Sequence, residues 1–433
     1  MSMNDLAYQV RAGELMLRTG HVLRHDPFSF ASSGSWFDQQ WGAQIVFAAV
    51  ARAGRWSALA VLRAALVGAI ASMTYAGARV RGASVRRAAL LTLAGCLVAF
   101  PGFVLRPQLL GLLLFSAMVL ALSYRSRRSS VLLLVPVITL VWANVHGSFV
   151  LAPVLVAWAV AFDLGRHDVR PSLLALVGCL GASGVTPFGF AVWRYAADLS
   201  LDPRIAGRVQ EWGHTTPASL PGVLFLGSVA AAGALLFARR REVPWPDAGL
   251  LLVFVLVGAW SIRGIYWWGL LVPVVVALLV PAPAEREEGV RWLNAAVIAA
   301  VGAVCVAGLP WLRPLDARLT DAPIGLTDRL ARLVGPGDRV FASQVWGSWV
   351  EAHLPLGGVF VDSRIELYPA AVWDDYLVAS GGRSGWAGVL DRWGIDYVIA
   401  TTDQDPGLLR RLSGSDDWRL VAADREGALY ARG

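Results

Sequence analysis

The chain has 433 residues, 56% of them hydrophobic and 16% charged, and a formal net charge of +7. It is too apolar for a water-soluble protein of this size, which indicates a membrane protein. The positive charge does not indicate a nucleic-acid partner, because the arginines stand in short clusters between apolar runs, as orientation signals do. The three cysteines lie inside apolar runs and show neither metal-ligand spacing nor a disulfide framework.

The first 56 residues are a polar and amphipathic stretch before the apolar runs, and no secretory signal peptide is recognisable among them. Residues 5–19 and Trp36–Ala53 have amphipathic helical patterns, and we expect both to lie along the outer membrane surface. Trp36–Ala53 is also apolar enough for a span, which would instead place the residues before it in the cytoplasm. The sequence Gly54-Arg55-Trp56 predicts a break directly after it.

Apolar runs then recur, each able to cross a hydrocarbon core roughly 30 Å thick as a helix of about 20 residues. About ten such runs predict an all-α polytopic membrane domain over residues 57–311. The runs cover residues 57–78, 87–105, 107–124, 129–145, 148–165, 171–190, 219–238, 247–263, 265–281 and 290–311.

Arginine clusters occur at every second connection between these runs, so the positive-inside rule places those connections in the cytoplasm. The alternate connections and all residues after 311 therefore face outward, as expected of a multi-pass protein of the bacterial inner membrane. The clusters are Arg79 to Arg87, Arg125 to Arg128, Arg166 with Arg170, Arg239 to Arg241, and Arg286 with Arg291.

Residues 312–433 have the composition of a soluble domain, and their patterns predict α/β structure on the outer side of the membrane. The chain thus divides by sequence into an outer loop at 1–56, a membrane domain at 57–311 and an α/β domain at 312–433. The predicted helices are Thr327–Leu333, Trp373–Ala379 and Trp386–Trp393; the predicted strands are Arg339–Ala342, Val359–Val361, Tyr397–Ala400, Trp418–Ala422 and Ala428–Ala431.

An acidic residue, Asp5, precedes the two surface helices, and Arg63 stands in the apolar run that follows them. This order resembles the GT-C glycosyltransferases, the polytopic superfamily that includes protein O-mannosyltransferases and lipid A aminoarabinose transferases. In that superfamily the acidic residue directly follows a first span. The resemblance therefore implies a further span upstream of Met1, unless Trp36–Ala53 itself crosses the membrane.

The resemblance is closer to a bacterial subgroup of GT-C-like proteins, and it covers nearly the whole chain in short motifs. These are Asp5-Leu6-Ala7-Tyr8, Arg18-Thr19-Gly20, Asp26-Pro27-Phe28-Ser29-Phe30, Arg106-Pro107-Gln108, Trp142-Ala143-Asn144-Val145-His146-Gly147, Thr186-Pro187-Phe188-Gly189, Glu211-Trp212, Trp346-Gly347-Ser348-Trp349 and Asp362-Ser363-Arg364-Ile365-Glu366-Leu367-Tyr368.

The resemblance implies an inverting transfer of a sugar from a polyprenyl-phosphate-linked donor to an outward-facing glycan, lipid or protein acceptor. Such chemistry needs a carboxylate that deprotonates the acceptor hydroxyl and a cation or hydrogen-bond donor on the phosphate. Asp5 is the first candidate for the base, with a helix N-cap as its structural alternative. Asp26 is a second candidate, although Asp before Pro commonly opens a turn.

Five further residues are candidates for contacts with the donor. Arg106 and Arg263 are outward-facing arginines beside spans, where a guanidinium either binds phosphate or extends to the interface without a function. His146 is an auxiliary catalytic candidate and Asn144 a substrate contact at the same span end, although a histidine there also caps a helix. Glu211, in the long outer loop beside Trp212, is a candidate for a second carboxylate of the site or for a metal ligand.

No cofactor is certain from the sequence. His21, His25 and Asp26 allow a weak divalent metal site, although they do not form a metal-binding motif. Asp362, Arg364 and Glu366 alternate along a segment predicted to be extended, which would put all three on one face. That face is either a solvated set of ion pairs or a surface that docks the acceptor.

A second hypothesis is a non-catalytic assembly or binding protein for cell-envelope polysaccharide that keeps the fold and holds partners with its tail. A transporter is disfavoured, because the centres of the spans are nearly free of the ionisable residues that transport requires.

Overall fold

The computed structural model describes residues 3–165, 168–202, 210–280 and 319–433. The chain forms two compact units: the first unit contains Met1–Ala53 and Arg313–Gly433, and the second unit contains Gly54–Leu312. The two ends of the chain therefore share one unit, whereas the sequence pattern divides the chain into three segments.

In the first unit, helix α1 spans Leu6–Thr19 and ends at Gly20, whose positive φ of 72° gives the left-handed conformation that ends many helices. Helix α1 packs closely on the start of helix α2 (Trp41–Val80). A Cβ at Gly13 would lie only 2.0 Å from the carbonyl oxygen of Gln44, so this packing requires glycine.

Helix α2 is interrupted at the position that the sequence predicts. Gly54 and Arg55 have non-helical dihedrals, and Arg55 adopts a φ of 52°, which is strained for a residue with a side chain. The helix over residues 41–53 is thus separate from the apolar helix that follows, as expected from the Gly54-Arg55-Trp56 sequence. The surface position predicted for Trp36–Ala53 stays a prediction.

The Asp26-Pro27-Phe28-Ser29 segment is attached to the edge of the C-terminal sheet. Val359 bridges both Ser29 and Val340 in parallel fashion. The hydroxyl of Ser29 donates to the carbonyl oxygen of Phe360 at 2.8 Å. These contacts make the N-terminal loop part of the same core as the tail.

The sheet of the first unit has four strands: β1 (Val340–Ala342), β2 (Tyr397–Thr401), β3 (Trp418–Ala423) and β4 (Gly427–Arg432). Their spatial order is β1-β2-β4-β3, with β1 parallel to β2 and the other pairs antiparallel. The predicted α/β structure and terminal hairpin are confirmed, whereas the predicted strand Val359–Val361 was wrong, because Val359 makes isolated bridges outside the strands. Its helices are α12 (Ile324–Leu330), α13 (Gln344–His353), α14 (Ala370–Ser380), α15 (Trp386–Arg392) and α16 (Pro406–Ser413), of which α13 and α16 were not predicted.

The second unit is helical throughout the part that the structure describes. Among the residues that the structure describes, four helices are long and apolar enough to cross a membrane: Trp41–Val80, whose first turns belong to the first unit, Val85–Gly102, Pro107–Tyr124 and Leu220–Ala238. Shorter apolar helices are Ser129–Val145, Gly147–Asp163, Arg170–Ser183, Trp245–Trp260 and Ile262–Val276. The predicted run at 290–311 lies outside the described residues, so the number of ten spans stays a prediction.

Within these helical segments, α3 spans Val85–Ala99, α4 Pro107–Tyr124, α5 Leu134–Val145, α6 Leu151–Asp163, α7 Arg170–Ser183 and α8 Ala191–Leu201, followed by α9 (Leu220–Ala238), α10 (Trp245–Trp260) and α11 (Ile262–Val276).

Two buried ion pairs join helices of the second unit near Trp158: Arg81 with Asp247, and Arg125 with Asp163. The Trp158 indole donates to Asp247 at 2.9 Å. Two arginines of the predicted orientation clusters thus also hold helices together.

A buried ionic cluster around Arg364 holds the first unit together. Its guanidinium contacts Asp362 and Glu351 and donates to Asp26 Oδ1 at 2.9 Å, although the Arg364 side chain is only 2% exposed. Tyr368 donates to Asp362 at 2.7 Å, which satisfies that carboxylate further. Because Asp26 comes from the N-terminal loop and the other residues from the tail, the cluster joins the two ends of the chain.

Aromatic rings from the N-terminal segment surround the same guanidinium. The Arg364 Cζ atom lies 5.1 Å from the ring centre of Tyr8, 5.2 Å from that of Phe28 and 4.7 Å from that of Trp36. A guanidinium stacks well on such rings, and desolvation strengthens the attraction. Burial and the nearby Asp362 carboxylate raise the pKa of Glu351 well above its usual range, which favours the uncharged form of Glu351 beside Arg364.

Replacing Arg364 by Met is expected to destabilise the first unit by roughly 3–5 kcal/mol, since Asp26 and Asp362 would remain buried without their cation. Thermal unfolding of the purified full chain, followed by tryptophan fluorescence, measures the change. The matched control is Arg392→Gln, which removes an arginine that is 58% exposed and pairs with Asp375. We expect a cost below about 1 kcal/mol there. Equal costs for the two variants would contradict the central role of Arg364.

Candidate functional site

Three of the predicted substrate contacts meet in the second unit. Arg106 Nη1 donates to both oxygens of Glu211, at 2.9 and 3.1 Å. Arg263 donates to Glu211 Oε2 from Nε at 3.2 Å, and its Nη2 lies 3.1 Å from the same oxygen. One carboxylate therefore bridges two guanidinium groups that are far apart in sequence.

Two helix starts position these arginines. Arg106 is the N-cap residue of α4, which begins at Pro107. Arg263 is the second residue of α11, whose start is capped by the hydroxyl of Ser261 accepting from the Gly264 amide at 3.2 Å. The N-terminal end of a helix carries partial positive charge, so both helices add to the attraction of the arginines for an anion.

Backbone hydrogen bonds fix the segment that carries Glu211. The Ile262 amide donates to the Gly213 carbonyl at 3.2 Å, and the Thr215 amide donates to the Ala259 carbonyl at 3.3 Å. The turn Gln210–Trp212 is thereby tied to the junction between α10 and α11. Glu211 is consequently held where α11 begins.

The bridged arginines remain accessible. The side chains of Arg106, Glu211 and Arg263 are 18%, 30% and 25% exposed, and the Arg263 guanidinium lies 4.8 Å from the ring centre of Trp212. Two guanidinium groups against one carboxylate leave a formal charge of +1. A carboxylate and a phosphate accept the same forked hydrogen bonds from guanidinium groups.

His146 lies at the connection between α5 and α6 in a fixed neutral form. Its Nδ1 accepts from the Ser148 amide at 3.1 Å, so the ring proton is carried by Nε2. The Ser148 hydroxyl lies 2.7 Å from Nδ1 and accepts from the Trp142 indole at 2.9 Å. Burial, followed by the positive charge of Arg263, lowers the pKa of His146 to about 3. A neutral imidazole can offer Nε2–H as a hydrogen-bond donor near Arg263, and it has no proton to give up as an acid.

Asn144 has a different environment from the other predicted contacts. Its side-chain amide donates to the carbonyl of Leu140 at 2.8 Å and to that of Val185 at 2.9 Å. These bonds join the end of α5 to the segment after α7. The observed contacts of Asn144 therefore organise the backbone around His146.

Asp5, the predicted base, lies in the first unit at the start of α1. Asp5 is the N-cap residue of α1 by position, as the structural alternative expects, but its side chain makes no capping hydrogen bond to the helix. Burial, followed by the carboxylates of Asp5 and Glu366, raises the pKa of Tyr8 well above its usual range. Asp5 and Glu366 thus approach the same phenol, and Asp5 remains partly accessible.

The hydrogen bonds of the Asp26 carboxylate stabilise the fold of the N-terminal loop. Besides its bond from Arg364, Oδ1 accepts from the Phe28 amide at 3.1 Å and Oδ2 accepts from the Ser29 amide at 3.4 Å. The Asp26 side chain is 0% exposed. This geometry gives the carboxylate the turn-forming role expected of Asp before Pro and leaves Asp5 as the more accessible acid.

The prediction of one extended face for Asp362, Arg364 and Glu366 was wrong. Residues Ile365–Leu367 form a 3-10 turn, which breaks the alternation, because successive side chains no longer point to opposite sides. Asp362 and Arg364 are buried in the ionic cluster, whereas Glu366 is exposed. The segment therefore does not present a common charged face.

The residues proposed for a weak metal site are held by separate partners. His21 Nδ1 lies 2.7 Å from the Thr19 carbonyl, and His25 Nδ1 lies 3.2 Å from the Gly34 carbonyl. Among the described residues, no group of three or more His, Cys, Asp and Glu side chains could hold a metal ion. The donor set for a divalent ion is thus not assembled by these residues.

Asp38 is a buried acid that sequence reasoning did not select. Its Oδ1 accepts from the Gln44 side-chain amide at 2.8 Å, while in the described part of the chain Oδ2 is buried without a hydrogen-bond partner. Burial, only partly offset by Arg364, raises the pKa of Asp38 to about 8. The signal in the sequence was a run of polar residues, Asp38-Gln39-Gln40, at the start of an otherwise apolar helix.

Comparison with solved structures identifies the fold. The chain is similar to the Archaeoglobus fulgidus oligosaccharyltransferase AglB in complex with an inhibitory peptide and a dolichol-phosphate, with a TM-score of 0.59 and 12% identity over 99% of this chain and 70% of that chain. It is also similar to the same enzyme tethered to an acceptor peptide with the NVT sequon, with a TM-score of 0.57, 13% identity and the same coverage.

A third structure of that oligosaccharyltransferase, with Zn and sulfate, gives a TM-score of 0.53 and 12% identity over 99% of this chain and 69% of that chain. No protein-family model and no curated protein matches the sequence. The chain therefore has a fold similar to that of these oligosaccharyltransferase structures, in agreement with the GT-C-like fold that the resemblance of its sequence motifs implies.

The raised pKa of Asp38 makes the stability of the first unit depend on pH. Because the folded value of about 8 lies above the ordinary value near 4, the folded state holds a proton that the unfolded state releases between these pH values. This contribution is complete at acid pH and is lost as the pH rises towards 8. Asp38→Asn is expected to raise stability at pH 8 by roughly 1–3 kcal/mol and to change it little at pH 4.

Chemical unfolding of the full chain across this pH range measures the difference between Asp38→Asn and the wild type. Asp403→Asn, at an exposed position, is the matched control and should leave the pH profile unchanged. A wild-type and an Asp38→Asn profile that run parallel would contradict a protonated Asp38.

Proposed function

We propose that this chain is a membrane glycosyltransferase that transfers a sugar from a polyprenyl-phosphate-linked donor to a glycan, lipid or protein acceptor on the outer face of the inner membrane. The observation that carries the proposal is the pair Arg106 and Arg263, placed at two helix starts around one carboxylate. The GT-C-like fold supports the reaction class, since AglB binds dolichol-phosphate in its solved complex.

In this proposal the two arginines bind the phosphate of the donor. Negative charge develops on that phosphate as the bond to the sugar breaks, and two preorganised guanidinium groups stabilise it. Glu211 occupies the anion position in the absence of donor and moves aside when the phosphate binds. His146 contributes a neutral Nε2–H donor, and Trp212 offers a ring on which a sugar stacks.

Asp5 is proposed as the general base. Its carboxylate takes the proton of the acceptor hydroxyl, the hydroxyl oxygen forms a bond to the anomeric carbon, and the bond from that carbon to the phosphate oxygen breaks. The leaving group is the polyprenyl phosphate, and the configuration at the anomeric carbon inverts. Asp26 is proposed as a positioning residue that keeps the N-terminal loop attached to Arg364.

A non-catalytic assembly role is the alternative, and the full burial of Asp26 favours it, since one of the two predicted acids does no chemistry. Deleting residues 313–433 does not separate the two functions, because the same unit contains Met1–Ala53. A deletion would remove the support of Asp5 together with any binding surface. Only point substitutions distinguish catalysis from assembly.

Asp5→Asn is expected to lower sugar transfer by at least about 100-fold, since it removes the general base. The purified chain is incubated with polyprenyl-phosphate-linked sugars and with membranes from cells that lack it, and released polyprenyl phosphate is measured. Glu14→Gln, on the same helix, is the matched control and should retain activity. If cells that carry Asp5→Asn and cells that carry Glu14→Gln both keep the full wild-type phenotype, the proposed enzymatic function is wrong and the assembly role takes its place.

Arg263→Gln and Arg106→Gln are each expected to weaken the binding of polyprenyl phosphate by about tenfold, the cost of a charged hydrogen-bond donor. Glu211→Gln is expected to strengthen binding severalfold, because the competing carboxylate loses its charge. Binding to the purified chain is measured by tryptophan fluorescence. Arg194→Gln is the control, since that side chain is 88% exposed. Weaker binding in Glu211→Gln would contradict the displacement of Glu211 by phosphate.

A further inference from the structure

The second unit contains a cavity of 380 Å³ where two apolar helices begin side by side. One wall is the segment from Ser129 to Pro136, which leads into α5, and the other runs from Asp168 to Ala175 at the start of α7. Further along, the hydroxyl of Thr139 on α5 contacts the sulfur of Cys179 on α7 at 3.3 Å, so the helices close above the cavity.

The wall of the cavity is polar at one end and apolar at the other. Ser129, Ser130, Asp168 and Arg170 form the polar end, while three leucines, two prolines and an alanine form the remainder. Arg128 belongs to the polar end as well, because its Nε donates to the Ser130 hydroxyl at 3.0 Å. Both arginines are exposed, and their guanidinium groups are available to a ligand that approaches from the aqueous side.

The charge of the polar end is positive. Asp168 is the acid among the residues that line the cavity, and its Oδ1 accepts from the backbone amide of Arg170 at 3.1 Å. Arg127, the residue before Arg128, donates to the Val80 carbonyl at 3.0 Å and is not counted in the polar end. Arg128 and Arg170 therefore outweigh one carboxylate that already holds the helix start, which suits an anionic group.

The apolar end opens onto an uncovered hydrophobic surface. Leu133 is 75% exposed and Leu174 is 71% exposed, although both line the cavity. Side chains that continue the same surface along α5 and α7 are Leu134, Val137, Leu140, Val141, Leu173, Val177 and Leu180. In a membrane, an acyl chain covers such a surface, and it would run directly from the polar end of the cavity.

We infer that this cavity, which the proposed transfer reaction does not use, binds one anionic phospholipid. Its phosphate contacts Arg128, Arg170 and the hydroxyls of Ser129 and Ser130, and an acyl chain lies between Leu133 and Leu174. The sequence places the connections at 125–128 and 166–170 on one side of the membrane, where a basic pocket between helices meets lipid headgroups. A zwitterionic lipid has the same chains and phosphate but carries an amine that the arginines repel.

Native mass spectrometry of the purified full chain tests the site with phosphatidylglycerol and phosphatidylcholine of identical acyl chains. We expect one phosphatidylglycerol to be retained in preference to phosphatidylcholine. The double variant Arg128→Gln/Arg170→Gln should lose about thirtyfold of that preference, from two arginine contacts with an anionic headgroup. Ser129→Trp, at an exposed lining position, should reduce retention of both lipids by filling the cavity.

The control is Arg240→Gln/Arg241→Gln, which removes two exposed arginines from another connection and should keep the preference of the wild type. Equal retention of the two lipids by the wild type would overturn the inference. The same holds if the control loses the preference as much as Arg128→Gln/Arg170→Gln does, because net charge alone would then explain the result. Binding of polyprenyl phosphate to the same variants is measured in parallel. A variant that changes polyprenyl-phosphate binding and keeps the preference for phosphatidylglycerol reports on the site at Arg263 and not on this cavity.

Discussion

The buried guanidinium of Arg364 is the interaction on which the first unit depends. It pairs with Asp362 and Asp26 at once, and the N-terminal aromatic rings that include Tyr8 surround it. A buried cation of this kind stabilises the fold only while every partner is present, since the loss of one leaves an uncompensated charge. The segment that carries Asp5 is thereby built into a small α/β core rather than left as a surface loop.

The second unit has an analogous arrangement with the opposite excess of charge. At Glu211, two cations share one acid, and the side chains stay 18–30% exposed, so the excess is positive and open to a ligand. Around Arg364 three acids, Asp26, Glu351 and Asp362, outnumber the cation, and burial raises the pKa of Glu351 well above its usual range, which favours its uncharged form. A closed cluster stabilises the fold, whereas an accessible pair of cations is suited to an anion, and this contrast underlies the roles proposed for the two sites.

Local patterns in the sequence predicted much of the fold. Apolar runs marked the helices, Gly54-Arg55-Trp56 marked the break in α2, and alternation marked the terminal hairpin. The sequence also singled out Arg106, Glu211 and Arg263 as separate candidates. It could not show that they meet, because the contacts depend on helix packing and on backbone bonds between segments that are distant in the chain.

Other features could not be predicted because a single turn or a buried environment decides them. The 3-10 turn at Ile365–Leu367 overrides the alternation that suggested a common face for Arg364 and Glu366. The burial of Asp38, which accepts from Gln44 and feels the charge of Arg364, depends on tertiary packing that no local pattern shows. A structure of the full chain with bound polyprenyl phosphate tests the central claim most directly. The account predicts a phosphate within hydrogen-bond distance of Arg106 and Arg263 with Glu211 displaced; a phosphate elsewhere, with the Glu211 bridge intact, would contradict it.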